Sequence, residues 1–183
     1  ETGALTGWTL SGNIGGASSA GDWWGEHISY NRDGEFFFNG WDGEESATGT
    51  LTSSAFTVGG SGFMTFRLGG GKNTDLCRLE VVDAETGEVL ARYGNTMFSD
   101  ANFGSIVPGT SGNPANAADA GVYLANMVLY KADLSAFLGR RVVLRLVDEA
   151  TSDWGLLFAD AFVTYYETSE GVPADARLAE NLL

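Results

Sequence analysis

The chain is poor in several residue types, and each scarcity narrows what it can do. Cys77 is the single cysteine among 183 residues, so no internal disulfide can form, and its place in a strand-like run marks it as a core side chain. His27 is the single histidine. That leaves no histidine cluster for zinc, and a Ser-His-Asp triad would have to pass through this one residue, beside an expected strand start. Ten basic residues stand against 24 acidic ones, a formal net charge of −14. Phosphate recognition needs clustered Lys and Arg, so nucleic acid and anionic membranes are disfavoured as partners, while a neutral or cationic one is favoured. No apolar run reaches the roughly 18 residues of a membrane-spanning helix. The opening ETGALTGW lacks the basic, apolar and cleavage regions of a secretion signal, which reads as a piece of a longer protein.

What is present points to strands. Three prolines against 26 glycines, with 12% aromatics, favour a loop-rich all-β domain over a helical bundle. The stretch FMTFRLGGGKNTDLCRLEVVD, from Phe63 to Asp83, organises the rest: Met64, Phe66 and Leu68 share one face, and Leu79 and Val81 resume the alternation. Gly69, Gly70 and Gly71 free the backbone between them, and Lys72, Asn73, Thr74 and Asp75 present polar groups. Further strands are expected near 7–10, 26–30, 35–39, 49–58, 88–93, 125–132, 142–147 and 156–166, with tight turns at 31–34, 59–62 and 84–87 and one helical turn at 134–139. Together they predict a single jelly-roll β-sandwich domain over residues 1–167. Residues 168–183, with ADARLAENLL, have the composition of a helical tail or linker.

In a sandwich whose strands each cross the whole body, successive connections fall at opposite ends. That parity puts the turns at 31–34, 59–62, 84–87 and 133–140 at one end, and the longer loops at 11–25, 40–46, 69–75, 94–124 and 148–155 at the other. Binding residues tend to sit on loops held by a rigid scaffold, so the elaborated end is the expected site. It gathers Trp41, Glu45, Lys72, Asn73, Arg92, Asp148, Asp153 and Trp154, with Glu44 and Asn95 beside them. Aromatic faces and planar polar side chains of this kind suit sugars, whose C–H surfaces stack and whose neighbouring hydroxyls bond in pairs. Each residue alone fits ordinary surface or core use; the cluster carries the expectation. GGGKN only resembles a phosphate loop, because Asn73 stands where Ser or Thr must follow the lysine and Phe66 occupies the required earlier glycine position. No close carboxylate pair on one strand marks a glycosidase. Calcium, which takes about six to eight oxygens, could be held at 42–45 or around Asp160 as a structural ion, although no EF-hand spacing occurs.

Three segments, TGTLTSSAFTVGGSGFMTFRLGGGKN, LEVVDAETGEVLARYGN and YKADLSAFLGRRVVLRLVDEATSDWGLLFADAF, together resemble the family 66 carbohydrate-binding modules over roughly Gly7 to Tyr166. The resemblance implies a non-catalytic β-sandwich, secreted by a bacterium, that binds the terminal fructose of levan-type fructans in a pocket and targets an attached glycoside hydrolase to its substrate. The excursion from Gly104 to Gly121 is longer than that family leads one to expect. Two other readings stand beside it: a small β-sandwich hydrolase acting on glycans, and a structural or adhesive domain of a surface protein.

Overall fold

Alternation of side chains along the strands builds two layers. A computed structural model describes residues 3–19, 30–41, 44–97, 127–152 and 154–183. Twelve strands are found among them: β1 (Trp8–Gly12), β2 (Gly16–Ser19), β3 (Phe36–Asn39), β4 (Gly49–Ser53), β5 (Phe56–Thr57), β6 (Phe63–Gly70), β7 (Cys77–Asp83), β8 (Val89–Tyr93), β9 (Val128–Asp133), β10 (Arg141–Asp148), β11 (Leu157–Val163) and β12 (Arg177–Leu178). One sheet runs β1-β4-β10-β7-β8, with β5 also on β10; the other runs β12-β9-β6-β11-β3-β2. The chain passes repeatedly from one sheet to the other, as a jelly-roll sandwich requires. Leu51, Leu79, Val81, Leu144 and Leu146 from the first sheet meet Met64, Phe66, Leu68, Tyr130 and Leu157 from the second in one buried core. Cys77 is buried in that core, as its strand position predicts.

The second sheet is buried on both faces over part of its area. Phe38 and Ala159 enter the main core, so their neighbours Phe37 and Phe158 point the other way. There they join Tyr30, Met127 and Leu156 in a second apolar cluster, with Tyr30 stacked on Phe37 at a ring distance of 4.8 Å. Phe37 and Phe38 are thus buried on opposite faces of the strand, with Phe36 half-buried at its start.

Several boundaries differ from the sequence reading for local reasons. The expected strand at 49–58 breaks into β4 and β5, because the Ser53 hydroxyl accepts the Leu144 N–H in place of the backbone while the Ser54 N–H turns to the Gly7 carbonyl. β11 stops at Val163 after a bulge in which Ala161 takes a φ of 51°. β2 was not foreseen: GASS is too short and small to show a period. Of the strand expected at 26–30, only Tyr30 lies within the described residues. The turn expected at 134–139 is a short 3-10 helix, Ser135–Phe137. The tail is not an α-helix. After a 3-10 turn at Ser169–Gly171, β12 adds to β9 in parallel, and the Leu182 N–H reaches the Arg92 carbonyl at 2.9 Å. Tertiary contacts to two sheet edges there override the helical composition.

Candidate functional site

Among the described residues the parity reading holds for turns 59–62, 84–87 and 133–140 and for the described parts of the loops at 40–46, 69–75, 94–124 and 148–155. It fails for 31–34 and for the loop expected at 11–25, where β2 occupies 16–19, and residues 20–25, 42–43, 98–124 and 153 lie outside the described residues. Turns 59–62, 84–87 and 133–140 are joined by hydrogen bonds from Leu134 N–H to the Gly62 carbonyl, Val58 N–H to Arg140 and Ala84 N–H to Arg141. Segment 31–34 is not with them. Asn31 bonds to the Met127 carbonyl and accepts from Arg67, while the Asp33 N–H donates to Asp160, which lays this segment over the outer face of the second sheet. The cause is that β3 pairs with β2. Residues 31–34 therefore belong to a long connection and are not the tight turn that the parity count assumed.

Opposite the short turns, four connections are stitched together by backbone groups. The N–H groups of Gly40 and Gly71 each donate at 2.8 Å, to the carbonyls of Leu157 and Leu156 respectively. Gly70 must be glycine here: its φ is +64° and a Cβ would lie 2.2 Å from the Leu156 oxygen. The Trp154 N–H donates to Glu45 Oε1 at 3.1 Å, and the Trp154 carbonyl accepts the Lys72 N–H at 3.4 Å. Asn95 donates to the Gly70 carbonyl and accepts the Tyr130 hydroxyl at 2.7 Å, anchoring the 94–97 connection from below. Between the 72–76 turn and the 149–155 loop lies a cavity of about 250 Å³, lined by Lys72, Asn73, Leu76, Glu149, Ala150, Thr151, Ser152 and Gly155.

The expected binding residues are therefore only partly brought together. Lys72 and Asn73 line the cavity, and both are exposed. Asn73 also shapes its own turn, its side-chain oxygen accepting the Asp75 N–H at 3.0 Å. Glu45 and Trp154 lie next to it, half-buried, with Trp154 held at a φ of +63°. Trp41 packs against the second apolar cluster on the outer face of the second sheet. Arg92 is not at the loop end but on the body of β8, opposite Glu80. Asp148 is 2% exposed, so a ligand in the cavity does not reach it; its Oδ1 accepts the Ala150 N–H at 3.1 Å and the Cys77 thiol at 3.5 Å. It ties down the turn that follows β10. Burial pushes its carboxyl up to about 6 and, with the neighbouring Asp148 carboxylate, pushes the Cys77 thiol up as well. Asp153 lies outside the described residues. Among the described residues no group of three or more His, Cys, Asp or Glu gathers as a metal site, and residues 42 and 43 of the proposed calcium loop fall outside them.

Two arrangements escaped the sequence reading. On the outer face of the first sheet, Glu80 is 2% exposed, with Arg78 donating to one oxygen at 2.8 Å and Arg145 gripping the other at 2.9 and 2.6 Å. Burial alone would raise the Glu80 carboxyl, but the two arginines outweigh it and hold it below the ordinary range. Arg78 bonds onward to Glu149 at the cavity. The signal available was Arg78 and Glu80 two apart on a strand, hence on one face; Arg145 joins them only through the register of β10 on β7. The other is a cavity of about 300 Å³ at the sandwich edge, walled chiefly by Leu5, Trp8, Phe36, Phe38, Leu51 and Phe162. Nothing in the spacing of those residues announces it.

No family model and no curated protein matches this chain. Among solved structures it is similar to the K1 cleaved adhesin domain of Lys-gingipain from Porphyromonas gingivalis W83. The two are 14% identical over 88% of this chain and 92% of that one, with a TM-score of 0.45. A likeness of that degree carries no inference about ligand or activity. Among the described residues no helix is long and apolar enough to cross a membrane.

Proposed function

We propose that the chain is a non-catalytic binding domain that takes a neutral, hydroxyl-rich glycan end into the cavity between the 72–76 turn and the 149–155 loop. One observation supports this best: a small cavity with an ammonium, an amide, two hydroxyl side chains and a carboxylate on its walls is framed by loops that are cross-bonded to each other. Neutral sugars offer no net charge, so affinity comes from several aligned hydrogen bonds of about 0.5–1.5 kcal/mol each, rising to roughly 3 where a partner is charged. A rim held in place in advance spares the ordering cost of forming them. The family 66 resemblance gives the finer reading: terminal fructose of levan-type fructans, bound extracellularly, with the domain concentrating an attached glycoside hydrolase on its polymer.

A glycan array carrying levan, inulin and free fructose, followed by calorimetry with Lys72→Ala and Ser152→Ala, tests both levels. Binding that weakens about tenfold in each variant, roughly 1.4 kcal/mol, with unchanged melting temperature supports the cavity. Affinity for short and long fructans that is equal per molecule supports recognition of the chain end. Binding that both variants leave intact would overturn the location.

A second reading, a structural or adhesive domain of a surface protein, is favoured by a different observation. Glu45, Asn73 and Asp148 spend carboxylate or amide oxygens on backbone N–H groups of the loops themselves. A folded domain that binds no glycan on the array would decide for it.

A further inference from the structure

The two edges of the first sheet are treated differently. At β8 the chain closes its own edge, since the Arg92 N–H donates to Asn181 Oδ1 at 3.0 Å and its carbonyl accepts from Leu182. At the other edge no strand lies beyond β1 among the described residues, and Thr9 through Gly12 are exposed. The Gly7 carbonyl and the Asn13 N–H bond toward β4, to Ser54 and Thr48. By the two-residue period of a strand, Thr9 and Ser11 also face β4, while the N–H and carbonyl of Leu10 point outward. The N–H of Trp8, on the same side, is taken by the Leu5 carbonyl.

Three further features bear on what could cover this edge. Leu10 lies opposite Leu51 of the core, yet is 40% exposed. β1 carries none of the devices that keep sheet edges apart, neither lysine, nor proline, nor an inward charge. The sequence that carries this edge and its described neighbour strand β4 is also uncharged. From Thr2 to Gly21 and from Ser46 to Phe66, the segments that contain β1, β4 and β5, no residue is charged, in a chain whose net charge is −14. Any partner of like charge is repelled by most of this surface, and least along this side.

We propose that β1 is a homotypic pairing edge, through which two copies of the chain join antiparallel about a two-fold axis at Leu10 and fuse their first sheets into one. Leu10 then exchanges both backbone hydrogen bonds with Leu10 of the second copy, and the two leucine side chains cover each other at the mouth of the core. A two-fold axis makes the pairing closed, so it stops at two copies. One short strand gives a small interface, and like net charge opposes it, so the association is weak and tightens as salt screens the repulsion.

Sedimentation equilibrium of the full chain up to about 1 mM, at low and high salt, measures it. The expected result is an average mass rising with concentration toward twice 19.3 kDa, more steeply at high salt. Amide exchange at Leu10 should slow over the same range. Leu10→Lys puts a charge on the axis and Leu10→Pro removes the outward N–H, neither touching the bonds to β4; each should weaken association by about tenfold or more at unchanged melting temperature. A wild-type chain that stays monomeric throughout, or a dimer that both folded variants leave intact, would overturn the proposal. If Leu10→Pro unfolds, Leu10→Lys and the exchange data decide.

Discussion

Two aspartates, one at each end of the sandwich, end their strands in opposite electrostatic states. At the short-turn end Asp83 uses both oxygens: Oδ1 accepts the N–H groups of Glu85 and Thr86 and the Thr86 hydroxyl, and Oδ2 accepts Nε and Nη2 of Arg140 at 3.0 and 2.7 Å. The Thr86 N–H, helped by Glu85 and Arg140, holds its carboxyl down at about 2. Asp148, at the loop end, has one oxygen occupied and the other buried without a partner, and burial lifts it to about 6. The first carboxylate stabilises the fold in its charged form; the second is a burden in that form.

Breaking the loop end outright is the strongest test. Gly70→Ala puts a Cβ against the Leu156 oxygen at a left-handed φ, and denaturant unfolding should show a loss on the order of 3 kcal/mol or more. A near-neutral result would mean that β6 and β11 can part at this end without consequence. The aspartate pair sharpens the comparison through pH. Asp148 has a folded pKa raised above its ordinary 3.8, so its contribution to stability is highest below that value and falls as pH rises toward 6. Asp148→Asn should therefore gain stability above pH 6, up to about 3 kcal/mol for the two-unit difference, and little below pH 4. Asp83 runs the other way: its stabilisation is present above 3.8 and lost as pH falls toward 2, so Asp83→Asn should lower the melting temperature at pH 7 and converge with wild type in acid. Identical pH profiles for the two variants would erase the contrast. Glu45→Ala, which strips the acceptor from the Trp154 N–H, should cost about 1–2 kcal/mol and shift tryptophan emission. Lys72→Ala should have the smallest effect on folding, within about 0.5 kcal/mol, because its side chain is exposed.

The alternation in 63–83 and 142–147, and the glycine turns that interrupt it, were enough to read the two-layer β fold, because a period of two residues is a local property. The gathering of the turns at 59–62, 84–87 and 133–140 was legible for the same reason, while the place of 31–34 was not, because the pairing of β2 with β3 is not a local property. The occupation of each loop residue was not legible either. Asp148 and Glu45 have similar charge and similar loop positions in the sequence, yet one is buried at the end of β10 and the other accepts the Trp154 N–H beside the cavity, a difference set by long-range pairing and not by local sequence. Trp41 was drawn away by a second apolar cluster whose members, Tyr30, Phe37, Met127 and Phe158, are far apart in the chain. Asn73→Ala illustrates the shift in expectation: with its side-chain oxygen bonded to the Asp75 N–H, the substitution should perturb the turn as well as any ligand.

The placing of β10 sets the order in which this chain can fold. It lies between β4 and β7, and pairs with β5 as well, so the first sheet has no continuous ladder until residues 141–148 are available. β6 waits in the same way for β9 and β11. During synthesis from the N-terminal side, β4 and β6 are complete strands with open edges while their partners are still to be made. Contacts this far apart in sequence put refolding in the slow range of all-β domains, about milliseconds to seconds. They also leave an interval in which uncharged strands such as β4 can pair with the wrong chain.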